Sequence, residues 1–299
     1  MKLSIVVVCY NMQRELPRTL ASLQRDYQRD VDALDYEVIV IDNGSVEPMS
    51  PGQIADHGPE FSYVYLENPP PSPAFALNRG VELATGDIVC LMVDGATLLS
   101  PGVLDRVRRC FLAYENPVVA LRYFFLGPGE QNDTILEGYD QDREDELLAG
   151  IDWPHDGYRL FEISTPIRFP GQKKSSWMDK MIESNFLCLR KQTLAEIGGC
   201  DERFDIPGGG FMNIDLFQRA ANHPDTTLVL LMGEGVFHQI HGGTTTNVMP
   251  EARDAEVATY RDQYRQIHGC DLVQTRAEFN YFGHMPTEAS KIHRRKFPD

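Results

Sequence analysis

The sequence has no apolar stretch approaching the roughly 20 residues that a membrane-spanning helix needs, so it offers no candidate span. It is poor in positive charge: 28 Lys and Arg stand against 44 Asp and Glu, a formal net charge of -16. A nucleic-acid backbone is therefore not an expected partner. An acidic chain can still take an anionic nucleotide if a divalent cation bridges the two. The six cysteines, Cys9, Cys90, Cys110, Cys188, Cys200 and Cys270, show no CxxC or other metal spacing. Several sit in apolar runs, where a free thiol behaves as a small hydrophobe. The expectation is a reduced, cytoplasmic chain. The apolar run of "MKLSIVVVCYNM" is too short for a signal peptide, and no small-residue cleavage site follows it. There is no internal repeat, and no low-complexity segment beyond the prolines of "PPPSP" (69–73).

What is present is a globular composition, 42% hydrophobic and 24% charged over 299 residues, enough for a substantial core. "LSIVVVCY" (3–10) is a continuous apolar, β-branched run, as a strand buried on both faces requires. "YEVIVIDNGS" (36–45), "SYVYLEN" (62–68) and "DIVCLMVD" (87–94) read as three more strands. Leu16, Leu20 and Leu23 predict a helix over 15–28, and "AFALNRGVELATG" (74–86) predicts another closed by Gly86 as C-cap. Alternating strand and helix make an α/β fold with a doubly wound, mainly parallel sheet. Ligands of such sheets bind at the carboxyl ends of the strands. Here those ends are Cys9-Tyr10-Asn11, Asp42-Asn43, Glu67-Asn68 and Asp94.

The middle is less regular. The acidic segment 131–153 reads as a solvated helix and loop. "GQKKSSW" (171–177) is a basic loop of small residues, a candidate lid over phosphates. Residues 184–204 read as strand, short helix and turn, and 226–243 as an apolar strand ending in His238 and His241. A surface helix is expected over 251–268, and a loosely held basic tail after it.

These motifs, in this order, resemble the family-2 glycosyltransferases with the GT-A fold, over about residues 3 to 245. "VVVCYNMQRELPRTLASL" is similar to the family's first strand and helix, with Cys9 where Pro is usual. "VIVIDNGS" resembles the strand whose terminal Asp holds the nucleotide base, and "ALNRGVELATGDIVCLMVDGA" the stretch leading to the Asp-x-Asp motif. "GGCDERF" and "NIDLFQRA" look like the acceptor-side segment, and "GVFHQIHGG" like the late strand ending in a metal-ligating His. The resemblance implies one GT-A domain over 1–250. Its Rossmann-like nucleotide-binding half is 1–100 and its acceptor half 101–250, with a C-terminal helix and tail over 251–299.

It also implies roles. Cys9, Tyr10, Asn11, Asp42, Asn78, Arg79, Asp94 and Gly95 would form the nucleotide site. Asp94, His238 and His241 would hold Mn²⁺ or Mg²⁺, imidazole suiting Mn²⁺ better. The donor would be a nucleotide-diphosphate sugar. The acceptor would be a glycan, lipid-linked or small-molecule hydroxyl, so contact with the inner membrane surface is compatible with the reading. The sequence departs from the family pattern twice. Ala96 replaces the second acid of Asp-x-Asp, and Met212-Asn213 replaces the Glu-Asp pair whose Asp is the catalytic base. An amide has no basic site, so Asp215 or Asp205 is expected to serve, with "PGGG" (207–210) redirecting the backbone. Asp215 is equally suited to a helix-start role. Two other readings stay open. One is a GT-A-like protein that binds the donor without transfer. The other is a nucleotidyltransferase, which usually needs a Gly-rich, Lys- or Arg-bearing loop directly after the first strand; "CYNMQREL" has no such glycines.

Overall fold

The β-branched runs fold as buried strands. In chain order these are β1 (Leu3–Cys9), β2 (Tyr36–Asp42), β3 (Phe61–Tyr65), β4 (Ile88–Met92) and β5 (Thr97–Leu99), then β6 (Pro117–Leu126), β7 (Ser164–Pro166), β8 (Leu187–Arg190), β9 (Thr227–His238) and β10 (Asn280–Gly283). This computed structural model describes residues 1–168, 177–242 and 250–291. The expected basic loop, apart from Trp177, and the end of the basic tail lie outside the described residues.

The ten strands form one sheet in the order β10-β9-β6-β8-β4-β1-β2-β3, with β5 on β9 and β7 on β6. β1 to β4 pair in parallel, as βαβ connections demand. β8 is antiparallel to both β4 and β6 and joins that parallel unit to the parallel trio β6, β9 and β10. This is the GT-A fold. The segment beyond residue 250 gives the sheet its edge strand β10 as well as the expected helix, Pro250–His268.

β1 shows why the runs are apolar without alternation. Leu3, Ile5 and Val7 face one hydrophobic cluster while Val6 and Val8 face another on the opposite side of the sheet. The register Cys9↔Asp42↔Tyr65 brings the ends of β1, β2 and β3 level, so the loops after them share one edge.

Two helices differ from expectation. The first spans only Leu16–Ala21. The Ser22 hydroxyl donates to the Thr19 carbonyl and accepts from Leu99 N–H, and Gln28 donates to the carbonyls of Ser22 and Ser100. Those side-chain bonds take over from the helical ladder. The second, Pro73–Leu83, starts at an N-cap Ser72 and stops at an extended Ala84. Gly86 is no C-cap: its N–H donates to Ser4 Oγ, and a Cβ there would lie 2.6 Å from the Lys2 carbonyl oxygen. Its smallness serves strand packing. Among the described residues no helix is long and apolar enough to cross a membrane.

Candidate active site

The loops after β1 and β2 are stitched together. Asn11 adopts a left-handed conformation (φ 53°), which Asn tolerates better than most residues. Its N–H donates to Ser45 Oγ (2.7 Å) and its Oδ1 accepts from Val46 N–H (2.9 Å). Gly44 has φ 80° and lies so close to Pro69 that an added Cβ would stand 2.8 Å from that ring. Both facts make "NGS" a turn that only glycine closes. Asp42 is buried at the end of β2, with Oδ1 accepting from Ser45 N–H and Oδ2 from the Tyr63 hydroxyl, each at 2.8 Å. A carboxylate has about four lone-pair sites, so it keeps acceptor capacity for a base N–H or a ribose hydroxyl. Cys9 is buried beside it, and burial, then the Asp42 charge, push its thiol far up, leaving an inert neutral group. Tyr10, more than half exposed, offers an aromatic face at the rim.

On the other side of β1, Asp94 follows β4 and meets the end of β9. Asp94 Oδ2 lies 3.1 Å from His238 Nε2 and 3.1 Å from His241 Nε2, and the two nitrogens are 3.0 Å apart. Donors bound at right angles about 2.1 Å from one ion lie about 3 Å apart. The three atoms therefore have the spacing of three adjacent vertices of an octahedron, with three vertices left for phosphate oxygens and water. The residues fit a divalent ion. Asp94 Oδ1 is fixed by the N–H of Ala96 (2.8 Å), so the position that lacks the second acid contributes its backbone instead. Gly95 lets this turn pack on β1, since a Cβ there would stand 2.9 Å from the Val8 carbonyl oxygen.

His238 is oriented by Gln131. The Gln131 amide donates to the His238 carbonyl (3.1 Å), which turns Oε1 toward His238 Nδ1 at 2.9 Å. Nδ1 must then carry the proton and Nε2 its lone pair, the tautomer a ligand needs. Burial raises the Asp94 carboxyl, but the charges and hydrogen bonds of His241 and His238 outweigh it and hold Asp94 well below the usual range. Burial lowers His238, and Asp94 only partly offsets this. Burial also lowers His241, but Asp94 prevails and its net shift is upward.

The acidic segment expected to be solvated is part of this construction. Glu144 on the helix Gln141–Gly150 is fully buried and accepts from Ile240 N–H (2.7 Å), while Arg14 pairs with it at 3.1 Å and reaches the Ile240 carbonyl. Burial raises the Glu144 carboxyl to about 7 against the pull of Ile240 and Arg14. Together they clamp the stretch between the two histidines. Gln131 and Glu144 were invisible to sequence reasoning, because their partners lie 107 and 96 residues away.

The remaining expected residues are placed elsewhere. Asn78 is tied to the Cys200 backbone through both amide atoms, at 2.9 Å each, and to Glu202. Arg79 pairs with Glu82 on the surface. Asp205 accepts from Gln263. Asp215, buried in the helix Met212–Ala221, is held by Arg219 at 2.7 Å and His268 at 3.0 Å. Asp201, Asp215 and His268 also cluster, but the Arg219 guanidinium already neutralises Asp215, which disfavours a cation there. The structure thus brings Asp94, His238 and His241 together and does not bring Asp215 or Asp205 to them.

A mainly parallel sheet, with Asp42 at the end of β2 and, across β1, a triad of atoms at the end of β4 and β9 that could hold an ion, defines a GT-A architecture with a built polar centre. The chain belongs to Glycosyl transferase family 2, whose profile matches residues 4–162. No curated protein matches it in sequence. Among solved structures it is similar to S. aureus TarS, with a TM-score of 0.53 and 13% identity, covering 89% of this chain and 44% of that one. S. aureus TarS 1-349 gives a TM-score of 0.53 at 14% identity, covering 90% of this chain and 73% of that one. The same fragment in complex with UDP-GlcNAc gives 0.52 at 13% identity, with 89% and 73% covered. The chain spans less than half the length of full TarS. At such identities the likeness shows the fold alone.

Proposed function

We propose that this protein transfers a sugar from a nucleotide-diphosphate sugar to a hydroxyl acceptor. The carrying observation is the mutual 3.0–3.1 Å spacing of Asp94, His238 and His241, across β1 from Asp42 at the end of β2. Residues 1–100 form the nucleotide half and residues 101–250 the acceptor half. In this reading Asp42 accepts hydrogen bonds from the base or ribose, and Tyr10 stacks at the rim. Asp94, His238 and His241 hold Mn²⁺ or Mg²⁺, which neutralises the charge of the departing diphosphate when bound. Gln131, Glu144 and Arg14 keep the two imidazoles in place. A uridine donor is the first candidate, because the similar TarS fragment was solved in complex with UDP and with UDP-GlcNAc.

Asn213 at the usual base position favours one other reading, donor binding without transfer. Thermal shift with UDP-, GDP-, dTDP- and CDP-sugars, each with and without Mn²⁺, tests the shared part. A donor present at a hundredfold its Kd adds about 2.7 kcal/mol of stability. Failure of every donor to stabilise the protein refutes both readings.

A further inference from the structure

We infer that Glu183 is the base that deprotonates the acceptor, taking over from the absent carboxylate at position 213; this rests on the transferase reading above. The Asn213 amide donates to Glu183 Oε2 at 2.9 Å and reaches Asn185 Oδ1 at 3.2 Å. A carboxylate therefore stands one hydrogen bond from the residue that occupies the family's base position. Asn213 is 7% exposed, and its Oδ1 has no hydrogen-bond partner within the protein. An acceptor without a partner beside a carboxylate marks a place where a further donor fits, and the single proton of an incoming hydroxyl can pass to that carboxylate.

The position of Glu183 is fixed from both sides. Its neighbour Ser184 accepts from Leu121 N–H on β6 (3.1 Å) and donates to the Phe186 carbonyl (2.8 Å). Two residues along β6, the Tyr123 ring packs at a tilt against that of His238, centroids 5.7 Å apart. Through Ser184, Leu121 and Tyr123, strand β6 links the segment of Glu183 to the ring of His238. Whereas Asp215 is buried and paired with Arg219 and His268, Glu183 is a half-buried residue. Burial pushes its carboxyl up against the pull of Asn213, the direction that makes a carboxylate a better base near neutral pH.

The step balances. The acceptor oxygen forms a bond to the anomeric carbon as its proton passes to Glu183. The bond from that carbon to the diphosphate oxygen breaks, and its electron pair leaves with the nucleoside diphosphate. The proton on Glu183 is then lost to solvent.

The test uses water as acceptor, measuring nucleotide release from UDP-, GDP-, dTDP- and CDP-sugars with Mn²⁺, together with calorimetric UDP binding. Glu183→Gln keeps an acceptor for the Asn213 amide. It is expected to slow release by about 10²–10⁴-fold and leave UDP affinity unchanged. Adding Asn213→Asp to Glu183→Gln is expected to recover part of the rate. Release by Glu183→Gln at the wild-type rate overturns the assignment. So does a wild-type chain that binds nucleotide yet releases none from any donor, because a working base takes a proton from water as from a sugar hydroxyl. A wild-type chain that binds no nucleotide refutes the transferase reading itself, a distinct result.

Discussion

Replacing Gln131 separates a ligand-orienting role from mere packing. Gln131→Leu removes the acceptor for His238 Nδ1 (2.9 Å) and the donor to the His238 carbonyl (3.1 Å). Without the first, nothing sets the tautomer, and the population with a free Nε2 lone pair falls. Losing such an outer partner typically weakens metal binding about 10–100-fold, or about 1.4–2.7 kcal/mol. The second loss leaves a buried carbonyl unpaired, worth about 1–3 kcal/mol of stability. Gln131→Glu divides the two effects. It still accepts from Nδ1 but no longer donates to the carbonyl, so it should bind Mn²⁺ nearly as well as wild type while being destabilised. Manganese titration by calorimetry, with urea unfolding alongside, reads both quantities. If Gln131→Leu is folded and binds Mn²⁺ with wild-type affinity, Gln131 does not orient a ligand and the triad is only a hydrogen-bonded cluster.

Three further outcomes are expected. Asp42→Ala should weaken UDP binding by about 1–3 kcal/mol, and unchanged calorimetry would remove Asp42 from the nucleotide site. Glu37 accepts from Ser4, from Thr85 twice and from Lys2; burial raises its carboxyl, but these bonds win and bring it to about 2. Its folded value is depressed, so its stabilising contribution is present above the unfolded value of about 4.3 and is lost as pH falls toward 2. Glu37→Gln should therefore cost about 1–3 kcal/mol at pH 7 and flatten the acid limb of urea-unfolding stability; an unaltered acid limb contradicts this. Asp215→Asn should lower stability by about 1–3 kcal/mol through Arg219 and His268. A fully stable Asp215→Asn that loses about 10²–10⁴ in turnover would make Asp215 the base.

The strands were legible because burial on both faces forces continuous apolar runs. β1, β2 and β4 fall inside the segments read from the sequence. The placement of Asp42, Asp94, His238 and His241 at or just after strand ends was legible for a related reason: those ends are where a parallel sheet meets its ligands. What failed to show is long-range. The segment 131–153 is polar enough to read as solvated, yet Gln131 and Glu144 are buried against the two histidines. Gly86 sits where a C-cap would, but its use is the close approach of β1, which no local pattern encodes. Asn78 reads as a ligand contact from its place in a motif, while both amide atoms are spent on Cys200. Glu183 carries no motif; only Asn213, 30 residues later, marks it.

In the proposed function, Asp94, His238 and His241 join a divalent ion to a nucleoside diphosphate. Calorimetric titration of UDP into wild type and Asp94→Asn, each with and without Mn²⁺, tests it most directly. Mn²⁺ is predicted to tighten UDP binding by at least about tenfold, or about 1.4 kcal/mol, in wild type and to have no effect in Asp94→Asn. Equal enhancement by Mn²⁺ in both proteins would contradict the account.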